Sequence, residues 1–177
     1  MCGKFMSFPE NERGNICNSV MVNEKLEIER EFYFSLDICR KHQQPVITYS
    51  PYGGHPLSII ERRYPESIHK VYVDIQKDLK LNDLFAVADN LGIHEKQSTL
   101  AFFLKNLWEC YKQKDAHRIL INPLIYASDH RFYAANCQIK VDENSIFRQP
   151  EIAAMCDYSQ VGVLERAAFQ RAQLRYV

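Results

Sequence analysis

Apolar and polar residues alternate strictly between residues 27 and 38. The polar and acidic side chains fall on one face, and the apolar ones fall on the other, with Arg30 as the exception. The apolar set is Ile28, Phe32, Phe34, Leu36 and Ile38. A period of two residues is typical of a half-buried β-strand. We therefore predict a strand here with a polar, acidic outer face.

The segments around this strand carry similar patterns. Residues 20–22 are apolar and predict a short preceding strand, and residues 45–49 predict a returning strand after a turn at 42–44. Gly53 and Gly54 then predict a loop, because paired glycines permit positive φ angles. The first third of the chain is accordingly interpreted as an antiparallel meander.

The middle of the chain is predicted to be mainly helical. A short helix at residues 57–63 and a strand at 68–74 come first, followed by a helix that Asn82 caps and Gly92 closes. A longer helix is expected at residues 95–112. Its apolar side chains recur at helical spacing and predict one buried stripe. They are Leu100, Phe103, Leu104, Leu107, Trp108 and Tyr111.

A hairpin is predicted from residues 119–126 and 132–141. Strict alternation puts Ile119, Ile121 and Ile125 on one face of the first strand, and Leu120, Asn122 and Leu124 on the other. A three-residue loop would place Asn122 directly opposite Asn136. Opposed residues have Cβ atoms about 4.5–5.5 Å apart, so the two amides can contact one ion.

The order of these elements indicates an α+β fold with a largely antiparallel sheet flanked by helices. A final helix is expected from residue 157 to 171. The sequence has neither an internal repeat nor a linker-like tract. We therefore predict a single domain that spans residues 1–177.

Composition narrows the classes of function. The 177 residues are 46% hydrophobic and 25% charged, which is typical of a soluble globular protein. Lys plus Arg equals Asp plus Glu, at 22 each, so no long-range field attracts nucleic acid or an anionic membrane. No apolar run approaches a membrane span. We expect neither nucleic acid nor membrane as a partner, and the N-terminus shows no leader pattern.

Cysteine and histidine spacing does not indicate a transition-metal site. Six cysteines are present without a Cys-x-x-Cys pair. We interpret them as reduced, mostly buried thiols of an intracellular protein. The histidines lack a second ligand at metal-binding spacing, and no glycine-rich phosphate loop occurs.

At the predicted hairpin the chain resembles the β subunit of succinate–CoA ligase. The family's Glu-Ile-Asn-Pro-Leu strand corresponds to residues 120–124, and its Phe-Arg-Gln segment corresponds to residues 147–149. Its Ser-x-x-Gly-Gly loop corresponds to residues 50–54. The resemblance covers nearly the whole chain in order, and it implies the C-terminal half of an ATP-grasp domain.

The resemblance also implies site residues. Asn23, Leu26 and Glu31 stand at nucleotide-contacting positions, and Asn122 and Asn136 stand at the positions that bind Mg²⁺. The family has an Asp in place of Asn136 and a Glu in place of Leu120, so we expect a weakened metal site. Two structural interpretations compete with these roles. Asn122 and Asn136 can simply hydrogen-bond to each other, and Glu31 can belong to a solvated strand face.

The implied activity is nucleotide-dependent interconversion of succinate and succinyl-CoA with ATP or GTP. The implied partner is an α-type subunit in a heterodimer, and the implied location is the mitochondrial matrix or otherwise the cytoplasm. The family's phosphate-binding Lys, its Gly-Arg-Gly loop and its second domain have no counterpart in these residues, so we expect no activity from the chain alone. Two alternatives stay open. The chain is a non-catalytic module that binds an α-type or other mitochondrial subunit, or it is a truncated product without a stable role.

Overall fold

A computed structural model describes residues 5–8, 11–17, 20–157 and 161–172, with the backbone alone given at 5–8, 11–16, 169 and 170. The chain divides into two compact units, residues 1–25 with 150–177 and residues 26–149. The prediction of one domain stays a prediction. The elements in chain order are β1 (Phe5–Phe8), β2 (Asn11–Ile16), β3 (Ile28–Cys39), β4 (Gln44–Ser50), α1 (Leu57–Arg63), β5 (His69–Tyr72), α2 (Leu81–Asn90), α3 (Gln97–Gln113), β6 (Ala116–Ala127), β7 (Phe132–Ala134), β8 (Cys137–Val141), α4 (Pro150–Ala154) and α5 (Val163–Ala172).

The larger unit, residues 26–149, is built on a six-stranded antiparallel sheet. The strand order is β5-β4-β3-β6-β7, and β8 also pairs with β6. This confirms the α+β class and the hairpin, and of the predicted meander it confirms the antiparallel pair β3 and β4. The strand predicted at residues 20–22 is wrong, because these residues are coil. Their side chains are 54%, 80% and 89% exposed.

One face of this sheet packs against α2 and α3. The stripe predicted for α3 is confirmed, since Leu100, Leu104 and Trp108 are fully buried beside Phe34 of β3 and Ile119 of β6. Burying each such side chain contributes roughly 1.5–3 kcal/mol. The indole N–H of the buried Trp108 keeps a hydrogen-bond partner, because it donates to the Asp78 carboxylate at 2.6 Å.

The outer face of β3 differs from its prediction. Tyr33 and Ser35 are only 2% and 4% exposed, whereas the apolar residues at the two ends, Ile28 and Ile38, are about half exposed. A strand with neighbours on both sides is buried at its centre. Alternation of polar and apolar residues shows which side chains share a face, but it does not show what packs against that face. The centre of β3 is therefore buried on both faces rather than solvated on one.

Arg30, the exception in the β3 pattern, has a structural role. Its guanidinium donates to the carbonyl oxygens of Leu91 at 2.6 Å and Gly92 at 2.9 Å, and it lies 4.9 Å from the centre of the Phe32 ring. Carbonyl groups at a helix C-terminus lack intrahelical partners and attract cations. Arg30 therefore caps the end of α2.

Of the two predictions made for the ends of α2, one is confirmed and the other is wrong. Gly92 closes the helix as expected, with φ +69°, and its N–H donates to the Asp89 carbonyl at 2.8 Å. Asn82 is not the cap. The N-cap residue is Lys80, which makes no side-chain capping bond, and Asn82 lies inside the first turn.

The alternation predicted for β6 is interrupted. Phe34 pairs with Ile121, but Phe32 pairs with Leu124, so β6 carries one extra residue against β3 at this point. Such a bulge moves the following side chains to the opposite face. Ile121 and Leu124 therefore both lie in the core, which corrects their predicted separation.

The C-terminal helix prediction is partly correct. Residues 161 and 162 are not helical, and α5 begins at Val163 rather than near residue 157. Residues 158–160 and 173–177 lie outside the described residues. Within the described ranges, no helix combines the length and the hydropathy needed to cross a bilayer.

Candidate functional site

The glycine loop, residues 51–55, joins the end of β4 to α1. The N–H of Gly53 donates to the Glu31 carbonyl at 3.0 Å, which ties the loop to β3. A Cβ on Gly53 would lie 2.6 Å from the backbone N and O of Phe32. Gly54 follows with φ +75°. The two glycines therefore permit a close backbone approach and a left-handed turn, respectively.

Asn122 holds the same loop from β6. Its Oδ1 accepts the Gly54 N–H at 2.8 Å, and its Nδ2 donates to the His55 carbonyl at 2.9 Å. Both polar atoms of one half-buried side chain are thus bonded to consecutive residues of the loop. The amide is well matched to this task, because it offers one acceptor and one donor group side by side.

Glu31 lies on the other side of Gly54. Its Oε2 is 2.9 Å from the position that a Cβ of Gly54 would occupy. The side chain is half-buried, and among the described residues its carboxylate has neither a hydrogen bond nor an ion pair. The structure therefore brings Glu31, the paired glycines and Asn122 together, although they are far apart in the sequence.

Asn136 lies directly opposite Asn122, as predicted. The Asn122 N–H donates to the Asn136 carbonyl at 3.0 Å, and the Nδ2 of Asn136 donates to the Asn122 carbonyl at 3.2 Å. Flanking pairs fix the same register, with Ile121 opposite Cys137 and Leu124 opposite Ala134. The cross-strand interpretation of this pair is thus realised, but it uses backbone carbonyls rather than the facing amides.

A cleft of about 410 Å³ opens between β3, the glycine loop and α1. Tyr52 and Tyr64 stack at its rim with ring centroids 4.2 Å apart, and both are exposed. Of the three residues that the resemblance assigned to a nucleotide, Glu31 lines the cleft, and the contribution of α1 was not predicted. The lining residues are Ile28, Glu29, Arg30, Glu31, Pro51, Tyr52, Gly53, His55, Ile59, Ile60, Arg63 and Tyr64.

The other two predicted nucleotide contacts are not cleft residues. Asn23 is exposed in the coil that precedes β3 and belongs to the smaller unit. Leu26 is half-buried at the start of the larger unit and does not line the cleft. Their role at a nucleotide stays a prediction.

The hydrogen bonds at the hairpin test whether Asn122 and Asn136 fit a magnesium ion. Mg²⁺ favours carboxylate oxygen and retains its water shell strongly. The Oδ1 of Asn122 already faces the positive end of the Gly54 N–H. Within the described ranges, no three or more His, Cys, Asp or Glu side chains are arranged so that they could hold a metal ion. As hydrogen-bonded here, the two amides do not fit the ion, and the metal site stays a prediction.

The two polar residues of the Phe-Arg-Gln segment, Arg148 and Gln149, have a structural role. The Nε of Arg148 donates to Asp115 at 2.9 Å, and Nε2 of Gln149 donates to the same carboxylate at 2.8 Å. These bonds, first that from Arg148 and then that from Gln149, hold the pKa of Asp115 below its ordinary value. Phe147 points away and is 83% exposed.

The cysteines differ from expectation in burial. Cys17, Cys39 and Cys110 are half-buried, while Cys137 and Cys156 are exposed. Although Cys137 is exposed as a residue, partial desolvation of its thiol raises the pKa of that thiol. Mostly buried thiols were therefore a wrong prediction for the described cysteines.

Comparison with known proteins agrees with this architecture. An antiparallel sheet flanked by helices, with a glycine loop at one edge of a cleft, is consistent with a nucleotide-grasp fold. The sequence profile of the ATP-grasp domain matches residues 1–126. The chain belongs to the ATP-grasp domain family.

Its relatives include β subunits of ADP-forming succinate–CoA ligase. The mitochondrial subunit from Oryza sativa subsp. japonica is 33% identical over 167 residues, covering 93% of this chain and 39% of the relative. The subunit from Wolinella succinogenes is 36% identical over 148 residues, covering 83% of this chain and 38% of the relative. The chain thus spans about two fifths of the length of these relatives.

Solved structures share the fold at lower sequence identity. The ATP citrate lyase from Methanothrix soehngenii, in complex with citrate and coenzyme A, superposes with a TM-score of 0.61 at 13% identity. The match covers 88% of this chain and 34% of the lyase chain. At this identity the similarity establishes the fold alone.

Proposed function

We propose that this chain is an ATP-grasp subdomain of the succinate–CoA ligase β type that binds a nucleotide at the cleft beside Gly54. The junction of Glu31, the glycine loop and Asn122 carries this proposal. Three sequence-distant positions that match the family's motifs meet at one loop, at the edge of a cleft. Such convergence of polar groups at the edge of a cleft favours a ligand site.

The chemistry of the cleft suits the nucleoside part of a nucleotide. The exposed faces of Tyr52 and Tyr64, together with Ile59, provide surface for a planar base. The Glu31 carboxylate has no partner among the described residues, and it is an acceptor for hydroxyl or amino donors. The sequence provides no glycine-rich phosphate loop, so the phosphates would depend on residues outside this chain.

We further propose that the chain catalyses no ligation by itself. Phosphoryl transfer depends on positioning and on neutralisation of phosphate charge. The chain covers about two fifths of its relatives. Turnover would need the complementary part of the grasp domain, Mg²⁺ with ATP or GTP, and an α-type subunit as heterodimer partner. Mitochondrial and bacterial relatives support the mitochondrial matrix or the cytoplasm as the location.

Calorimetric titration of ADP and GDP into the chain tests the proposed binding. We expect Glu31→Gln to weaken the affinity about tenfold, because a charged acceptor forms stronger hydrogen bonds than a neutral amide. Glu95→Gln is the matched control, since Glu95 is exposed and does not line the cleft. Absence of binding by the unchanged chain, or equal binding by both variants, would contradict the assignment of the cleft.

Turnover is tested separately. The purified chain with succinate, CoA, ATP and Mg²⁺ should form no succinyl-CoA. Formation of succinyl-CoA by this preparation would show that the chain is sufficient for catalysis.

A non-catalytic binding module is the second candidate function. The exposed Phe147 ring, 83% accessible beside the anchored Arg148, favours it, because aromatic side chains are enriched in protein–protein interfaces. A chain that binds no nucleotide but co-purifies with an α-type subunit, and loses it on Phe147→Ser, would support this module. Retention of the subunit by the variant would count against it.

A further inference from the structure

The side chain of Asn122 is committed to the glycine loop. We propose that Asn122 is a positioning residue that clamps this loop, and not a magnesium ligand, so that ligand binding at the cleft does not require a divalent cation. Independence from a divalent cation rests on the proposed nucleotide function. The clamp itself concerns this chain alone and rests on the hydrogen bonds of Asn122.

The clamp satisfies two backbone groups that a glycine-rich turn leaves without secondary-structure partners. Asn122 accepts from the Gly54 N–H at 2.8 Å and donates to the His55 carbonyl at 2.9 Å. Both lengths are those of good hydrogen bonds. Gly54 and His55 are both exposed, so these bonds restrain the loop rather than satisfy buried groups. The amide thus fixes Gly54 at the conformation that places it beside Glu31.

A cation at Asn122 would meet unfavourable surroundings. An ion on Oδ1 would approach the positive end of the Gly54 N–H dipole that already occupies this oxygen. The neighbouring positions on the hairpin, Leu120 and Asn136, supply no negative charge, and the Glu31 carboxylate lies against Gly54 rather than on the hairpin. A neutral amide alone is a poor competitor for the water that Mg²⁺ holds. The geometry therefore favours the loop over the ion.

The two amides give a matched pair of variants. A metal site would use Asn122 and Asn136 together, so that losing either would disable it. A clamp uses only Asn122, because the Asn136 side chain donates to a backbone carbonyl and does not reach the loop. Asn136→Ala is therefore the control for Asn122→Ala.

Amide hydrogen exchange of the full chain, followed by NMR, tests the clamp. Asn122→Ala should speed exchange of the Gly54 amide about tenfold, as expected for loss of its hydrogen bond. Asn136→Ala should change that rate less than about twofold, and amides of the α3 core should keep their rates in both variants. An unchanged Gly54 rate in Asn122→Ala, or equal acceleration in both variants, would overturn the proposal.

Asn122→Asp provides a conservative rescue that also guards against misfolding of the alanine variant. Aspartate keeps the acceptor for the Gly54 N–H but removes the donor to the His55 carbonyl. The Gly54 amide should therefore stay protected. Rapid exchange at Gly54 in a folded Asn122→Asp chain would show that the acceptor does not hold the loop, which overturns the clamp.

Manganese chloride and EDTA test independence from cations. If the two amides held a metal, Mn²⁺ would broaden the resonances of residues 54 and 136 in the unchanged chain, and this broadening would disappear in Asn136→Ala. We expect no such broadening. ADP should bind with the same affinity in Mg²⁺ and in EDTA. Broadening that needs Asn136, or ADP binding that needs Mg²⁺, would overturn the proposal. If ADP does not bind at all, the proposed function and the clause on ligand binding both fail, while exchange and manganese still decide the clamp.

Discussion

Two loops of the larger unit are each fixed by one polar side chain from β6 or its N-terminal border. The glycine loop, residues 51–55, is held by the neutral amide of Asn122. The Arg-Gln loop, residues 142–149, is held by the carboxylate of Asp115 through Arg148 and Gln149. The anchors resemble each other in geometry but differ in charge.

Residues that match the motifs of one family therefore hold their loops in two ways, one without charge and one with it. The Asn122 anchor contains no titratable group, so its hydrogen bonds persist across pH and salt. The Asp115 anchor depends on ionisation, and its ion pair with Arg148 is exposed to screening. In both loops a motif residue makes intramolecular hydrogen bonds, so a motif match indicates where a residue lies more directly than what it binds.

Gly53→Ala should have the largest effect, because it separates the glycine loop from β3. The new Cβ would lie 2.6 Å from the Phe32 backbone, which cannot move without disturbing the sheet. We expect a loss of about 3 kcal/mol in the free energy of unfolding, measured by urea denaturation.

The control for this substitution is Gly162→Ala. A Cβ there would meet only the Glu165 Cβ, at 4.0 Å, so a change within about 0.5 kcal/mol is expected. Comparable losses in the two variants would mean that the loop does not approach Phe32 as closely as described.

Acid should weaken the Asp115 anchor and leave the Asn122 anchor intact. The folded pKa of Asp115 lies below its ordinary value of 3.8. A carboxyl with a depressed folded pKa adds stability above the unfolded pKa and loses it as pH falls through the folded pKa. The stability difference between the unchanged chain and Asp115→Asn should therefore be full at neutral pH and shrink as pH falls below 3.8.

Denaturation curves across this range provide the check. Asparagine tolerates the left-handed conformation of residue 115, φ +51°, so the substitution reports the charge rather than the backbone. The difference for Asn122→Ala should not vary with pH over the same range. A pH-dependent Asn122 difference, or a constant Asp115 difference, would remove the contrast between the anchors.

Gly54→Ala should have a smaller effect than Gly53→Ala. The Cβ would meet the Glu31 carboxylate at 2.9 Å, and this flexible side chain can move aside. The remaining cost is that of φ +75° for an L-residue, about 1 kcal/mol. Thermal unfolding measures it, and a loss equal to that of Gly53→Ala would show that Glu31 cannot move.

Asn144→Ala should have the smallest effect. The Nδ2 of Asn144 donates to Asp142 at 3.0 Å, but the backbone N–H of Asn144 donates to the same oxygen at 2.9 Å and is retained. We expect a loss of about 0.5 kcal/mol by urea denaturation. A loss above that for Asp115→Asn at neutral pH would place the main restraint of the Arg-Gln loop at Asn144 rather than at Asp115.

The sequence by itself determined the elements whose patterns are local. Helix α1, the buried stripe of α3, the antiparallel pair of β3 and β4 and the opposition of Asn122 and Asn136 all follow from periodicity and turn residues. Periodicity reports which side chains share a face, because it arises from the geometry of one element. The resemblance assigned Glu31 to the nucleotide and Asn122 to the metal. The structure places both beside the glycine loop, and their roles stay predictions.

Only the tertiary structure decided what meets those faces. The buried Tyr33, the bulge that brings Ile121 and Leu124 into one core, and the Arg30 cap of α2 each depend on a neighbouring element. The bonds from Asn122 to Gly54 and His55 span more than sixty residues of sequence. Packing of the elements decides which of several possible partners a side chain contacts. No local sequence pattern predicts that choice.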